Sequence, residues 1–293
     1  MNAVKEKAYA KINLYLDCIG KRADGFHDIV TVMHSVSLCD EVTVVKLGDG
    51  KSSIRLELDG NRRLPSDNRN LAYAAAEMFL ARAGIKADIL IRLDKHIPIS
   101  SGLAGGSSDA AATLRALNRL YGRCFTDRAL LAMAAELGSD VPYCLVGGTA
   151  LCEGRGERIT RLPSAVKLHT VIAIDNEHVS TPWAYSKLDA KYSNFDGSVA
   201  RGEGGYLCDL ERFLSGGEFP ENGLYNVFEK VVLDACPGAF AIKNRMRELG
   251  ALCAMMSGSG PSVFGVFKDA ADAMSAQCTL IAEGKRAYYA STI

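Results

Sequence analysis

Pro98-Ile99-Ser100-Ser101-Gly102-Leu103-Ala104-Gly105-Gly106-Ser107-Ser108-Asp109-Ala110 is a loop of glycine and serine that runs straight into a helix. Gly102, Gly105 and Gly106 clear side chains away, so backbone N–H groups can close on a ligand. The helix behind them points its unsatisfied first-turn N–H groups, and about half a unit of positive charge, at the same spot. Such an arrangement holds an anion, most commonly phosphate. The plainer alternative is a glycine-rich turn before a helix capped by Ser107 or Ser108. Spacing excludes two other phosphate loops. No lysine follows Gly105-Gly106, so the P-loop pattern is absent, and Gly102-Leu103-Ala104-Gly105 breaks the dinucleotide-binding pattern. Charge neutralisation then falls to Mg²⁺ and to lysines elsewhere in the chain.

A chain of 293 residues is long for one core and implies two domains. We place them at 1–156 and 157–293, with Gly154-Arg155-Gly156 at the boundary. Thirty-four basic residues balance 34 acidic ones, so no global basic field argues for nucleic acid or an acidic membrane. Nine cysteines without a C-x-x-C pair fit reduced thiols and a cytoplasmic protein, not a disulfide framework or zinc site. The N-terminal segment lacks a long apolar core, so neither a signal peptide nor a membrane span is expected. No apolar stripe marks an oligomer, and a monomer or weak homodimer is expected.

Residues 8–17 alternate: Ala8, Ala10, Ile12, Leu14 and Leu16 fall on one face, Tyr9, Lys11, Asn13 and Tyr15 on the other. This predicts a half-buried strand with Lys11 and Asn13 side by side. Strands at 29–38 and 41–46 follow, then a polar hairpin around Gly48-Asp49-Gly50, a strand at 54–58, a helix at 70–82 and a strand at 88–93. After the loop, helical spacing continues to Tyr121, and Thr126 caps a second helix that ends near Gly138. Ser139-Asp140-Val141-Pro142 reads as a turn, and 143–153 as paired strands. The second half predicts a strand at 168–174, a helix from Ser180-Thr181-Pro182 and a mobile loop at 196–205. Helices at 224–235 and 238–249, a strand through Met256, a Ser257-Gly258-Ser259-Gly260-Pro261 turn, a strand at 262–267, a helix at 269–283 and a strand at 286–292 complete it. The fold class is α+β in two layers.

Singly, each polar residue has a bland reading. Lys11 and Asn13 suit a solvent-facing strand edge, Asp140 is a common turn residue, and a lone His27 is usually structural. Ser257 to Pro261 is either a second phosphate-facing nest or a tight connection between strands.

Taken in order, Lys11-x-Asn13, Pro98 to Ser108, Gly138-Ser139-Asp140-Val141-Pro142 and Ser257 to Pro261 resemble the GHMP small-molecule kinases over nearly the whole chain. Lys21-Arg22-Ala23-Asp24-Gly25-Phe26-His27 is most similar to the branch acting on a cytidine-diphosphate-linked methylerythritol in non-mevalonate isoprenoid synthesis. The resemblance implies an N-terminal mixed-sheet nucleotide-binding domain, a C-terminal ferredoxin-like α/β sandwich and an active site in the cleft between them. It implies transfer of the ATP γ-phosphoryl group to the 2-hydroxyl of that substrate, with Mg²⁺ but no dedicated protein ligand for it. Lys11 and Asp140 would be the catalytic pair; Asn13, Phe26, His27 and Thr181 would meet the substrate. Pro98 to Ser108 would hold the ATP phosphates, and Asn70 and Lys95 the adenine. Phe26 stands where the family usually has tyrosine, which keeps a ring able to stack on cytosine and loses a hydroxyl. Ser100-Ser101 and Ala104 stand where glycine or alanine is usual, so φ < 0 is expected there. The alternatives are a homoserine- or mevalonate-type kinase of the same family, or a non-catalytic nucleotide-binding regulator.

Overall fold

The computed structural model describes residues 2–50, 52–59, 64–192, 206–220 and 224–293. The expected mobile loop at 196–205 lies outside them. Contacts divide the chain into two compact units, neither continuous in sequence: residues 1–10, 39–99 and 104–147, and residues 11–38, 100–103 and 148–293. Strands β1 (Ala3–Lys21) and β2 (His27–Asp49) give residues to both units.

In the first unit the later half of β2 pairs antiparallel with β4 (Ala87–Asp94), with Val44 opposite Ile91. β3 (Ser53–Asp59) lies parallel to β4 on its other side, Ile54 opposite Ile89. No hairpin therefore joins β2 to β3 at Gly48-Asp49-Gly50. β4 takes the pairing position, and its central Ile89-Leu90-Ile91 is buried on both faces, as suits an inner strand. Three helices, α1 (Leu71–Ala83), α2 (Gly105–Leu120) and α3 (Asp127–Leu137), close over a core that includes Phe79, Ile89, Ile91, Leu93 and Leu114. Each such side chain contributes about 1.5–3 kcal/mol by leaving water. α1 is bounded as expected. The Asn70 side chain accepts from Ala72 N–H at 3.0 Å, and Gly84 ends the helix in left-handed geometry at φ 63°. Thr126 likewise caps α3.

In the second unit the early half of β2 pairs antiparallel with β5 (Thr149–Gly154), which pairs with β6 (Arg158–Arg161). A separate antiparallel sheet is built from β7 (His169–Ile174), β9 (Cys253–Met256), β10 (Val263–Phe267) and β11 (Arg286–Ser291). Its order is β11-β7-β10-β9. Between its strands run α5 (Thr181–Lys191), α6 (Tyr206–Leu214), the short α7 (Glu229–Val232), α8 (Pro237–Glu248) and α9 (Ala270–Ala282). α8 and α9 pack Ile242, Met246 and Leu280 onto Val171, Ala173 and Met256. The order, with the last strand at one edge and the second at the other, is the expected ferredoxin-like sandwich. Among the described residues no helix is long and apolar enough to cross a membrane.

Three local expectations are corrected. Residues 143–146 are not strand: α4 (Val141–Val146) is helical, because Pro142 sits in its first turn, where a missing N–H costs nothing. Residues 224–235 are not one helix: Tyr225 and Asn226 form the two-residue strand β8 beside β1, and helix resumes only in α7. The stretch 10–17 of β1 is not half-buried, since Lys11, Asn13 and Tyr15 are buried along with Ile12 and Leu14. Its polar face is inside the protein.

Candidate active site

The Gly/Ser loop adopts left-handed backbone at alternate positions: Ser100 (φ 52°), Gly102 (φ 77°) and Ala104 (φ 58°). The expected φ < 0 fails at Ser100 and Ala104. Non-glycine residues there cost about 1–2 kcal/mol each, so surrounding contacts must hold the path. One such contact is the hydrogen bond from Ser257 Oγ to Gly102 O at 3.1 Å; another runs from Lys11 N–H to Leu103 O at 3.2 Å. Gly102 is irreplaceable, because a Cβ there would lie 2.2 Å from the Ser257 carbonyl oxygen. Helix α2 starts at Gly105 with Ala104 as its cap residue and no side-chain cap. Ser107 and Ser108 are thus inside the first turn, not at the cap. Ser108 Oγ donates back to Gly105 O at 2.9 Å. The uncapped first-turn amides are what an anion would meet.

Behind the loop the second unit builds a seat for an ammonium group. Lys11 is 3% exposed, and its Nζ donates to Asn13 Oδ1 at 2.6 Å. The same oxygen accepts from Gly258 N–H at 2.8 Å, and Asn13 Nδ2 donates to Thr31 Oγ1 at 2.8 Å. A Cβ on Gly258, at φ 58°, would sit 3.3 Å from Lys11 Nζ. The Ser257-to-Pro261 turn is held in place by Asn226, whose side-chain amide donates to Met256 O at 2.7 Å and Gly258 O at 2.9 Å. Sequence reasoning missed Asn226. Its one signal is an amide inside the otherwise apolar run Leu224 to Phe228. Among the described residues no carboxylate pairs with Lys11; its buried charge rests on a neutral amide oxygen.

Asp140, in the first unit, occupies the position before α4 with helical backbone (φ −87°, ψ −15°) and does not cap that helix with its side chain. Its carboxylate is half-buried and unused by the helix.

His27 and Thr181 lie in the second unit with defined partners. His27 Nε2 meets Asp189 Oδ1 at 2.7 Å, and Asp189 Oδ2 accepts from Lys21 at 2.6 Å. The Tyr185 ring stacks on the imidazole at 4.5 Å. Burial pushes the Asp189 carboxyl up, but its hydrogen bonds from Lys21 and His27 outweigh this and hold it below the usual carboxylate range. Phe26 is half-exposed, with the Arg155 guanidinium 4.8 Å from its ring centroid. Thr181 Oγ1 meets Ser259 Oγ at 3.0 Å, which links the start of α5 to the Ser257-to-Pro261 turn.

The two positions expected at adenine are engaged within the protein. Asn70 caps α1 and donates to Pro65 O at 3.1 Å. Lys95 is buried between Asp40 and Asp109, 2.6 Å from Asp109 Oδ2. Burial pushes its ammonium down, and the two carboxylates outweigh that and raise it. Among the described residues no cluster of three or more histidine, cysteine, aspartate or glutamate side chains could hold a metal ion.

Family models for the GHMP kinases N terminal domain and the GHMP kinases C terminal domain match residues 70–148 and 215–286. The chain is 42% identical over 274 residues to a 4-diphosphocytidyl-2-C-methyl-D-erythritol kinase of Caldicellulosiruptor saccharolyticus, a match covering 92% of this chain and 90% of the relative. It is 40% identical to the Gloeobacter violaceus protein of the same name, covering 96% and 91%. A crystal structure of 4-(cytidine 5'-diphospho)-2C-methyl-D-erythritol kinase superposes with a TM-score of 0.82 at 32% identity over 99% of both chains. A homoserine kinase from Cytophaga hutchinsonii shares the fold at a TM-score of 0.71 and 24% identity, over 100% of this chain and 95% of that one. The chain therefore belongs to the GHMP kinases and, within them, to the family of 4-diphosphocytidyl-2-C-methyl-D-erythritol kinases.

Proposed function

We propose that the chain transfers the γ-phosphoryl group of ATP to the 2-hydroxyl of 4-diphosphocytidyl-2-C-methyl-D-erythritol, giving the 2-phosphate and ADP in non-mevalonate isoprenoid synthesis. One observation carries the chemistry: a buried ammonium, Lys11, whose partner is an amide oxygen and not a carboxylate. A desolvated cation of this kind is completed by an anion, and phosphoryl transfer delivers one.

Such transfers depend on positioning and on neutralising the charge that spreads over the moving phosphoryl oxygens. The amides of Gly105, Gly106 and Ser107, with the α2 dipole behind them, hold the β- and γ-phosphates. Mg²⁺ arrives with the nucleotide as part of the substrate, and no protein ligand is assigned to it. Asp140 accepts the proton of the attacking hydroxyl. Lys11 orients that hydroxyl and offsets negative charge as it grows. Asn13, expected at the substrate, acts through Lys11, since its amide oxygen already takes the ammonium. His27, Phe26 and Thr181 receive the cytidine-linked substrate. Asn70 and Lys95 act by shaping the nucleotide-side framework.

The test is ADP release from ATP and Mg²⁺ with the cytidine-linked alcohol, homoserine or mevalonate offered singly. Turnover with the first alone supports the reading. Preference for either of the others transfers the chain to another branch, and ATP binding without turnover on any alcohol makes it a regulator.

A further inference from the structure

Helix α2 carries Asp109 as its fifth residue, directly after the phosphate loop, and three buried charges meet there. The Lys95 ammonium donates to Asp109 Oδ2 at 2.6 Å and to Asp40 Oδ2. Asp40 is fully served, because its Oδ1 also accepts the N–H groups of His96 at 2.5 Å and Ile97 at 2.7 Å. Asp109 is not: its Oδ1 is buried and meets no hydrogen-bond partner among the described residues. Two carboxylates share one ammonium, so the cluster holds one negative charge in excess where water cannot solvate it. The cluster also touches the loop, since Lys95 Nζ lies 3.6 Å from where a Cβ on Gly105 would stand.

We propose that Asp40, Lys95 and Asp109 form a positioning device for the phosphate loop, and that docking of a polyphosphate on the loop draws one proton from solvent onto Asp109. The inference rests on the loop binding nucleotide, as proposed above. Incoming phosphate charge disfavours a second unneutralised anion close by. A proton on Asp109 brings the cluster to net zero and turns its approach to Asp40 into a hydrogen bond. The carboxyl is poised for this. Burial pushes it up to about 7, opposed by Lys95 and reinforced by Asp40. Among the described residues, those two are the charged groups that act on it. α1, α3 and α4 present apolar side chains to α2, among them Ala76, Phe79, Met133 and Val141. Lys95 thus acts on the nucleotide through the loop backbone and not as an adenine contact.

The experiment is calorimetric titration of the full chain with a non-hydrolysable ATP analogue and Mg²⁺, at about pH 8, in buffers of low and high ionisation enthalpy. Asp109→Asn, which leaves the one-to-one Asp40–Lys95 pair, is titrated alongside. The wild type should take up close to one more proton per nucleotide than the variant, roughly the full linkage of one site. Its affinity should weaken relative to the variant by up to about tenfold per pH unit above neutrality. Equal proton numbers and parallel pH slopes overturn the proposal. Failure of the wild type to bind the analogue at all removes the nucleotide reading itself, and the proposal with it. An infrared difference spectrum of the wild type alone gives a second readout. A protonated-carboxyl stretch gained on nucleotide binding supports the proposal, and its absence overturns it.

Discussion

Lys11 and Asn13 stand on one face of β1, and the Asn13 amide oxygen takes the Lys11 ammonium at 2.6 Å while also accepting from Gly258 N–H. One neutral oxygen thus fixes both the cation and the turn that borders it. Removing Lys11 deletes charge stabilisation that is greatest in the transition state, so Lys11→Ala should lower kcat by about 10²–10³-fold. Asn13→Ala leaves the charge but loosens it, and should also act on kcat more than on the KM for ATP. Steady-state kinetics on both variants check this. A change confined to KM would remove Lys11 from the transfer step.

Asp140 is half-buried and leaves its helix uncapped, as a carboxylate reserved for other work would. A general base contributes about 10²–10⁴-fold. Asp140→Asn should lose turnover in that range and still bind ATP with wild-type affinity. Near-normal turnover in the variant would reassign the base.

Asp189 fixes His27 through Nε2 and is itself held by Lys21. Asp189→Asn keeps the shape but removes the charge that orients the imidazole. The KM for the cytidine-linked substrate should rise about tenfold, the equivalent of one hydrogen bond to a charged group, while the KM for ATP stays put. Equal effects on both substrates would argue for a general loss of folding.

The patterns that were legible in the sequence were local and strong. Asn70 and Gly84 bound α1, Thr126 caps α3, and the strand–helix order of the second half gives the ferredoxin-like sheet. What was hidden depended on distant parts of the chain. Alternation in β1 looks the same whether its polar face meets water or encloses Lys11. Ser100 and Ala104 favour negative φ locally, and contacts from Ser257 and Lys11 to the loop override them. Asn226 works through two carbonyls some thirty residues away, which no local window contains.

Ala104 gives a direct measure of the strain in the phosphate loop. At φ 58° its Cβ is unfavourable, and glycine adopts that geometry freely. Ala104→Gly should therefore stabilise the protein by up to about 1 kcal/mol, the left-handed cost less the added entropy of an unfolded glycine. Chemical denaturation reads this directly. A loss of stability would mean that the Ala104 methyl packs for more than the backbone costs.

His34 sets an acid limit on stability. It is buried in the second unit, its Nδ1 2.8 Å from Thr149 Oγ1, and burial alone pushes its imidazole down to about 4. Its ordinary value is 6.5, so the unfolded chain takes up the proton first as pH falls. The stability that comes from keeping His34 neutral is therefore complete above about pH 6.5 and is lost progressively down to about pH 4. Across that window each pH unit costs about 1.4 kcal/mol, so the wild type should lose about 2 kcal/mol through this group between pH 6.5 and 5. His34→Gln keeps a hydrogen-bonding group without the titration. Its stability should fall less over the same interval, whatever its value at neutrality. Denaturation curves for both proteins at the two pH values separate the outcomes, and parallel losses would show that another group sets the acid limit.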